Sequence, residues 1–203
     1  MTFQDTVLGE VLQIFKREGI EANSEKELVR KLQISPSTYR EMFSDKTDLV
    51  KKVLLYDLEE QKREHAELLA TAQNPVEEIM LLLKDGLETL KNINPLFYVD
   101  MQRHYPEVWQ IASEHFSTYS YHELSNVINR GIIQNFFRKD VNLQLVTKII
   151  LEQLFILLNP KVFSPERYNI GEVFRSMFLY YLRGICTERG GKLAEDFFSK
   201  HNL

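Results

Sequence analysis

Between Ser35 and Arg40 the chain gathers three aliphatic hydroxyls and a guanidinium around Pro36 and Tyr39. A serine followed by proline at the first helical position marks a helix start. Hydroxyls and the free N–H groups of a helix N-terminus bind phosphate oxygens and base edges. Tyr39 and Phe43 stand four residues apart and so share a face, which packs inward. That phase turns Ser37, Glu41 and Ser44 outward and leaves Thr38 and Arg40 on the flanks. Small residues near the start allow close approach to a partner. Glu41 either accepts from cytosine N4 or repels phosphate.

Bond-making chemistry has weaker candidates. There is no phosphate-cradling glycine loop and no Gly-x-Ser-x-Gly elbow, and Cys186 has no histidine near it in sequence. No catalytic residue is assigned. Asp100 and His104 lie four apart, and His115 and His122 seven apart, so each pair could share a helix face. No His-Glu-x-x-His or paired-cysteine motif accompanies them, so they read as surface or hydrogen-bonded histidines and no metal or cofactor is expected. Residues 97–123 concentrate Phe97, Tyr98, Met101, Tyr105, Trp109, Phe116, Tyr119 and Tyr121. Apolar walls with polar tips suit a small-molecule pocket. They suit an ordinary aromatic core as well.

The elements that must position these residues are helical from end to end. Val7, Leu8, Val11, Leu12, Ile14 and Phe15 form one stripe on a helix over Thr6–Glu18, which stops at Gly19. Ser24 with Glu27 three residues on forms a capping box for the second helix, in which Leu28, Val29 and Leu32 face inward. The turn Gln33-Ile34-Ser35 leads into the third helix, which reaches about Phe43. Together these form a helix-turn-helix, whose second helix enters the major groove of DNA. A fourth, long helix begins at Ser44-Asp45-Lys46 and runs toward Ala72, its charged middle a solvated connector. Asn74-Pro75 breaks the chain, and a helix from Pro75 to about Asn92 buries Ile79, Leu82, Leu83, Leu87 and Leu90. Asn94-Pro95 breaks it again, and a helix from Pro106 reaches about Phe137. Two more run over about 143–158 and 170–188, ending at Asn159-Pro160 and Gly190-Gly191, with one or two further turns in the tail. The expected fold is all-α, with nine or ten helices and no strand.

Composition is that of a globular protein, with 44% hydrophobic and 27% charged residues. No apolar run approaches the roughly 18 residues of a membrane span. The N-terminal stretch carries Asp5 and Glu10 and lacks the basic start of a secretory signal. The single cysteine excludes an internal disulfide and suits a reducing compartment, so a cytoplasmic location is expected. Net charge is −4, but residues 1–52 balance nine Lys/Arg against nine Asp/Glu. The basic footprint that phosphate binding requires is therefore slight.

The segment Ile34 to Val50, ISPSTYREMFSDKTDLV, resembles the TetR/AcrR family of one-component transcriptional regulators, whose pattern is V-S-x-G-T-L-Y-x-x-F-x-x-K-x-x-L. Ile34, Ser35, Thr38, Phe43, Lys46 and Leu49 match it. The apolar first helix with Gly19 and the Asn23-Ser24 start also fit, and Arg130 to Asn142 is similar to the stretch joining the last two core helices of that family. Strong similarity covers about a quarter of the chain. Arg40 stands where the family usually has a phosphate-contacting tyrosine, and Ser37 where glycine is frequent. Gln33 replaces the usual turn glycine, at a position that calls for positive φ.

The resemblance implies a head over residues 1–50 joined by the long helix to an effector-binding and dimerisation body over 51–203. It implies a groove-facing set of Ser35, Pro36, Ser37, Thr38, Arg40 and Met42, with Ser24 and Lys46 on phosphates. It places an unknown small-molecule effector in the body, for which Tyr98, Met101, Trp109, Tyr119 and Phe155 are the candidate contacts. It favours a homodimer through the helices at about 143–158 and 170–188, whose broad apolar faces exceed what one side of a small body hides. The expected function is ligand-responsive regulation of transcription, with a dimeric repressor on a pseudo-palindromic double-stranded operator. Two alternatives stay open: a helical small-molecule-binding protein whose helix-turn-helix no longer reads DNA, and an enzyme on a helical scaffold.

Overall fold

The computed structural model describes residues 2–157, 159, 161–164 and 167–201, apart from the side chain of Leu90. The expectations for Leu90, Leu158 and Pro160 lie outside the described residues. The described elements are α1 (Phe3–Glu18), α2 (Glu25–Leu32), α3 (Pro36–Met42), α4 (Lys46–Ala70), α5 (Pro75–Asn92), α6 (Leu96–His104), α7 (Pro106–His115), a π-helical turn (Phe116–Ser120), α8 (Tyr121–Ile133), α9 (Leu143–Leu157), α10 (Ile170–Ile185) and α11 (Glu188–His201). The fold is all-α, as the periodicity predicts. The one β feature among the described residues is an isolated antiparallel bridge between Phe137 and Cys186. No described helix is long and apolar enough to cross a membrane.

The chain folds into two compact units, one from residues 1–65 and 91–116 and the other from 66–90 and 117–203. In the first, α1 begins one turn earlier than the apolar stripe requires. Thr2 caps it, with the Asp5 amide on the Thr2 hydroxyl at 3.2 Å and the Thr2 amide on the Asp5 carboxylate at 2.7 Å. Val11, Phe15, Leu28, Phe43, Leu49 and Val53 form the centre of this unit, and Phe97, Met101, Tyr105 and Val108 join the same cluster. Each such side chain removed from water contributes about 1.5–3 kcal/mol. The nucleus of the head is thus completed by residues far along the chain.

The second unit packs Ile79, Met80, Leu83 and Leu87 of α5 with Phe174, Phe178, Leu182 and Phe198 of α10 and α11. Glu78 and Arg130 join α5 to α8 through a two-pronged ion pair, one prong at 2.9 Å. The helix expected from Pro106 to Phe137 is divided by the π-helical turn and ends at Ile133, because the amides of Phe136 and Phe137 both turn back onto the Gly131 carbonyl. The pair Gly190-Gly191 does not end a helix. α10 already stops at Ile185, and both glycines lie in the first turn of α11. Space sets that choice, since a Cβ on Gly190 would stand 2.1 Å from the Phe136 carbonyl oxygen.

Candidate nucleic-acid interface

The reading helix is built as its sequence demands. Ser35 caps α3, its Oγ accepting from the Thr38 amide at 3.0 Å, and Pro36 occupies the first turn. Tyr39 and Phe43 turn inward and meet edge to face with centroids 5.1 Å apart. The opposite side leaves Ser35, Pro36, Ser37, Arg40 and Glu41 exposed, with Thr38 half-buried. The Ser35 hydroxyl lies 2.7 Å from that of Ser37 and 2.8 Å from that of Thr38, a cluster of groups that both donate and accept. Met42 is half-buried and packs against the core of this unit, so only part of it is available to a partner.

The turn before α3 carries backbone strain. Gln33 closes α2 in the left-handed region at φ 54°, ψ 36°, where its amide and that of Ile34 both bond the Val29 carbonyl. Glutamine meets there the Cβ crowding that glycine avoids.

The loop between α1 and α2 is held from several sides. Gly19 takes φ 89° over Leu96, which suits glycine alone at no steric cost. Asp100, on α6, accepts the Ile20 amide at 2.8 Å and the Glu21 amide at 2.9 Å through one carboxylate oxygen. The Tyr105 hydroxyl donates to Glu21 at 2.6 Å, and the Asn94 amide reaches the Lys16 carbonyl at 2.7 Å. Asn23, fully buried, donates to the Gly19 carbonyl at 2.9 Å and accepts from the Lys31 ammonium at 2.7 Å. Spacing had suggested Asp100 only as a half of a metal pair, and nothing local in the sequence points to Asn23 as a hub.

The residues expected on phosphates are also occupied. Ser24 and Glu27 make their capping box, with the Ser24 hydroxyl on the Glu27 carboxylate at 2.7 Å. The Arg40 Nε bonds Glu25 at 3.0 Å, an ion pair in the open. The Lys46 ammonium turns inward, donating to the Asn23 carbonyl and standing 5.0 Å from the centre of the Phe15 ring. Desolvation there lowers its pKa, against the pull of Glu21, Glu27 and Asp100. Glu25 is a participant the sequence did not single out; a carboxylate one position from the Ser24 cap gives no local sign of reaching α3.

The candidate effector contacts fall in both units. Met101 is buried in the core of the first, with Tyr98 and Trp109 partly buried against it. Burial raises the Tyr98 pKa above the ordinary phenol value, and the Asp57 carboxylate adds to that. Tyr119 and Phe155 belong to the second unit, Tyr119 bonding Glu123 at 3.2 Å and Phe155 exposed on α9. Among the described residues no group of three or more His, Cys, Asp or Glu gathers to hold a metal ion.

No protein-family model matches the sequence. No curated protein matches it either. Solved structures are similar in fold. A TetR transcription regulator from Haloarcula marismortui is 19% identical, over 91% of this chain and 98% of that one, with a TM-score of 0.77. TetR-family regulators from Cytophaga hutchinsonii and Agrobacterium tumefaciens are 14% and 17% identical, each over 91% of this chain and over 95% and 97% of their own, with TM-scores of 0.73 and 0.72. At such identities the likeness speaks for architecture, and this chain has the all-α fold of TetR-family transcriptional regulators.

Proposed function

We propose that the chain is a ligand-responsive, DNA-binding transcriptional regulator of the TetR/AcrR type, acting in the cytoplasm as a dimeric repressor on a pseudo-palindromic operator. The observation that carries this reading is α3, a short helix whose inner side is packed and whose outer side presents a capped hydroxyl cluster. Hydroxyls of that kind bond base edges and phosphates alike. The two reading helices of a dimer would address half-sites about 34–36 Å apart, or a multiple of that.

Dimerisation through α9 and α10 is supported by apolar side chains left outward on them. Leu145, Ile149 and Ile156 lie along one exposed side of α9, and Tyr180 on α10 is 66% exposed. A symmetric four-helix contact would cover them. An effector in the body would prefer one disposition of the heads and shift the population away from DNA binding by its differential affinity. α4 and the stretch 94–105 are the levers in this reading, the first because it leaves the head, the second because it is bonded to the loop that precedes α2.

The test is selection of bound sequences from a random duplex library by the full chain, followed by binding as a function of salt. An enriched palindrome whose log affinity falls steeply with log salt is the expected result. A folded dimer that enriches nothing at low salt overturns DNA reading and leaves the small-molecule-binding alternative.

A further inference from the structure

The charge balance of the head becomes informative once each cation is traced to its partner. Residues 1–52 hold nine Lys/Arg. Six are engaged within the protein. Lys16 bonds Asp57, Arg17 bonds Glu18, Lys31 bonds Glu18 and Asn23, and Arg40 bonds Glu25. Lys52 bonds Asp48 and the Met42 carbonyl, and Lys46 is turned onto Asn23 and Phe15. Lys26, Arg30 and Lys51 alone have neither an ion pair nor a hydrogen bond to their side chains among the described residues, and all three are exposed.

Two of these three share a helix side. Lys26 and Arg30 are four apart on α2, and with Gln33 they form an exposed row at helical spacing. Glu27 does not neutralise it, because its carboxylate is turned onto the Ser24 amide and hydroxyl. The Glu25–Arg40 pair joins the first turn of α2 to the outer flank of α3, so the row begins beside the reading helix. α3 itself offers no unpaired cation and carries the exposed Glu41. Lys51 lies on a different row, with Leu55 and Glu59 farther along α4.

We infer that the Lys26–Arg30 row of α2 is the phosphate-binding edge of this protein, gripping the backbone of double-stranded DNA while the hydroxyls of α3 meet the groove. Lys46 is a structural cation of the head instead. This rests on the DNA-reading function proposed above. It explains how a head of zero net charge binds a polyanion, since the cations that matter are few, unpaired and aligned. In helix-turn-helix proteins the first helix of the motif crosses the backbone, which is the position this row requires.

Each phosphate neutralised contributes about 0.9 to the slope of log affinity against log salt, so two cations in each of two heads contribute about 3.6. Between 50 and 200 mM salt that slope amounts to an about 150-fold loss of affinity. The experiment measures binding of the full chain to a labelled duplex carrying the selected sequence across that range. The variants are Lys26→Gln/Arg30→Gln, Lys46→Gln and Lys51→Gln, each checked for folding by circular dichroism. The expected result is a slope flatter by about 3–4 for the double variant and by less than about 1 for the other two. A double variant with the wild-type slope overturns the assignment, as does an equal flattening by Lys51→Gln or by a folded Lys46→Gln. If the wild-type chain itself binds no duplex at low salt, DNA reading has failed and this inference falls with it.

Discussion

Replacing Asp100 by alanine tests how the head is held together. One carboxylate oxygen accepts two backbone amides, from Ile20 at 2.8 Å and Glu21 at 2.9 Å, across some eighty positions of sequence. Hydrogen bonds to a charged group contribute about 1.5–3 kcal/mol each, and a buried donor left without a partner costs about 1–3 kcal/mol. The two amides differ in what they can regain. Ile20 is fully buried, so its N–H stays orphaned, whereas Glu21 is exposed and water can replace the lost acceptor. The expected cost of Asp100→Ala is therefore about 2–3 kcal/mol, most of it at Ile20. Asp100→Asn can place an amide oxygen at the same point and keep both bonds with a neutral acceptor, which is roughly half as strong, for a loss of about 1 kcal/mol. Trp109 is the only tryptophan and packs against this core, so its fluorescence during urea unfolding reports on this unit alone. An alanine variant within about 0.5 kcal/mol of wild type, below what one orphaned amide costs, would refute the argument. So would an asparagine variant as damaged as the alanine one.

Three further outcomes are expected. Gln33→Gly should raise the urea midpoint by an amount near 0.5 kcal/mol, since relief of left-handed crowding outweighs the greater freedom of glycine in the unfolded chain; a lower midpoint would reverse that ranking. Gly190→Ala must push the Phe136 carbonyl away from a Cβ placed 2.1 Å from it, and thermal unfolding by circular dichroism should show a loss of about 2–3 kcal/mol. The Lys31 ammonium, and after it the Arg17 guanidinium, hold the Glu18 carboxyl down to about 2 from 4.5. A depressed carboxylate contributes stability that is full above its unfolded value and is lost as pH falls through the folded one. Lys31→Met should then move the Glu18 titration, followed by carbon NMR, back toward 4.5 and start acid unfolding at a higher pH.

What the sequence made legible was local. The capping boxes, the Ser35-Pro36 start, the shared face of Tyr39 and Phe43, the Gly19 stop and the positive φ of Gln33 all depend on neighbours within five residues, and each is found in the structure. What escaped was distant. Asp100 and His104 looked like a metal pair because they are four apart, yet the partners of Asp100 are the amides of Ile20 and Glu21. Gly190-Gly191 looked like a stop because glycine ends helices, whereas its small size answers to Phe136, more than fifty positions away. Arg40 and Lys46 carry the charge that phosphate contact needs, but side chains reaching in from other elements engage them, and a one-dimensional pattern holds no record of that. The candidate effector residues were chosen for type alone, and type does not separate a buried core methionine such as Met101 from a pocket wall.

Phe97, Met101, Tyr105 and Val108 have a consequence for how such a protein can diversify. They complete the same apolar cluster as Phe15 and Phe43, so a fragment cut after residue 50 or 65 would expose the inner faces of α1 and α4 to water. The head is not a cassette that recombination could lift from one protein and set on another at a single splice, because residues 91–116 would have to travel with it as a second, separate insert. New DNA preferences are reached more readily by single replacements at exposed positions such as Ser37, Arg40 and Glu41, which no part of that cluster constrains.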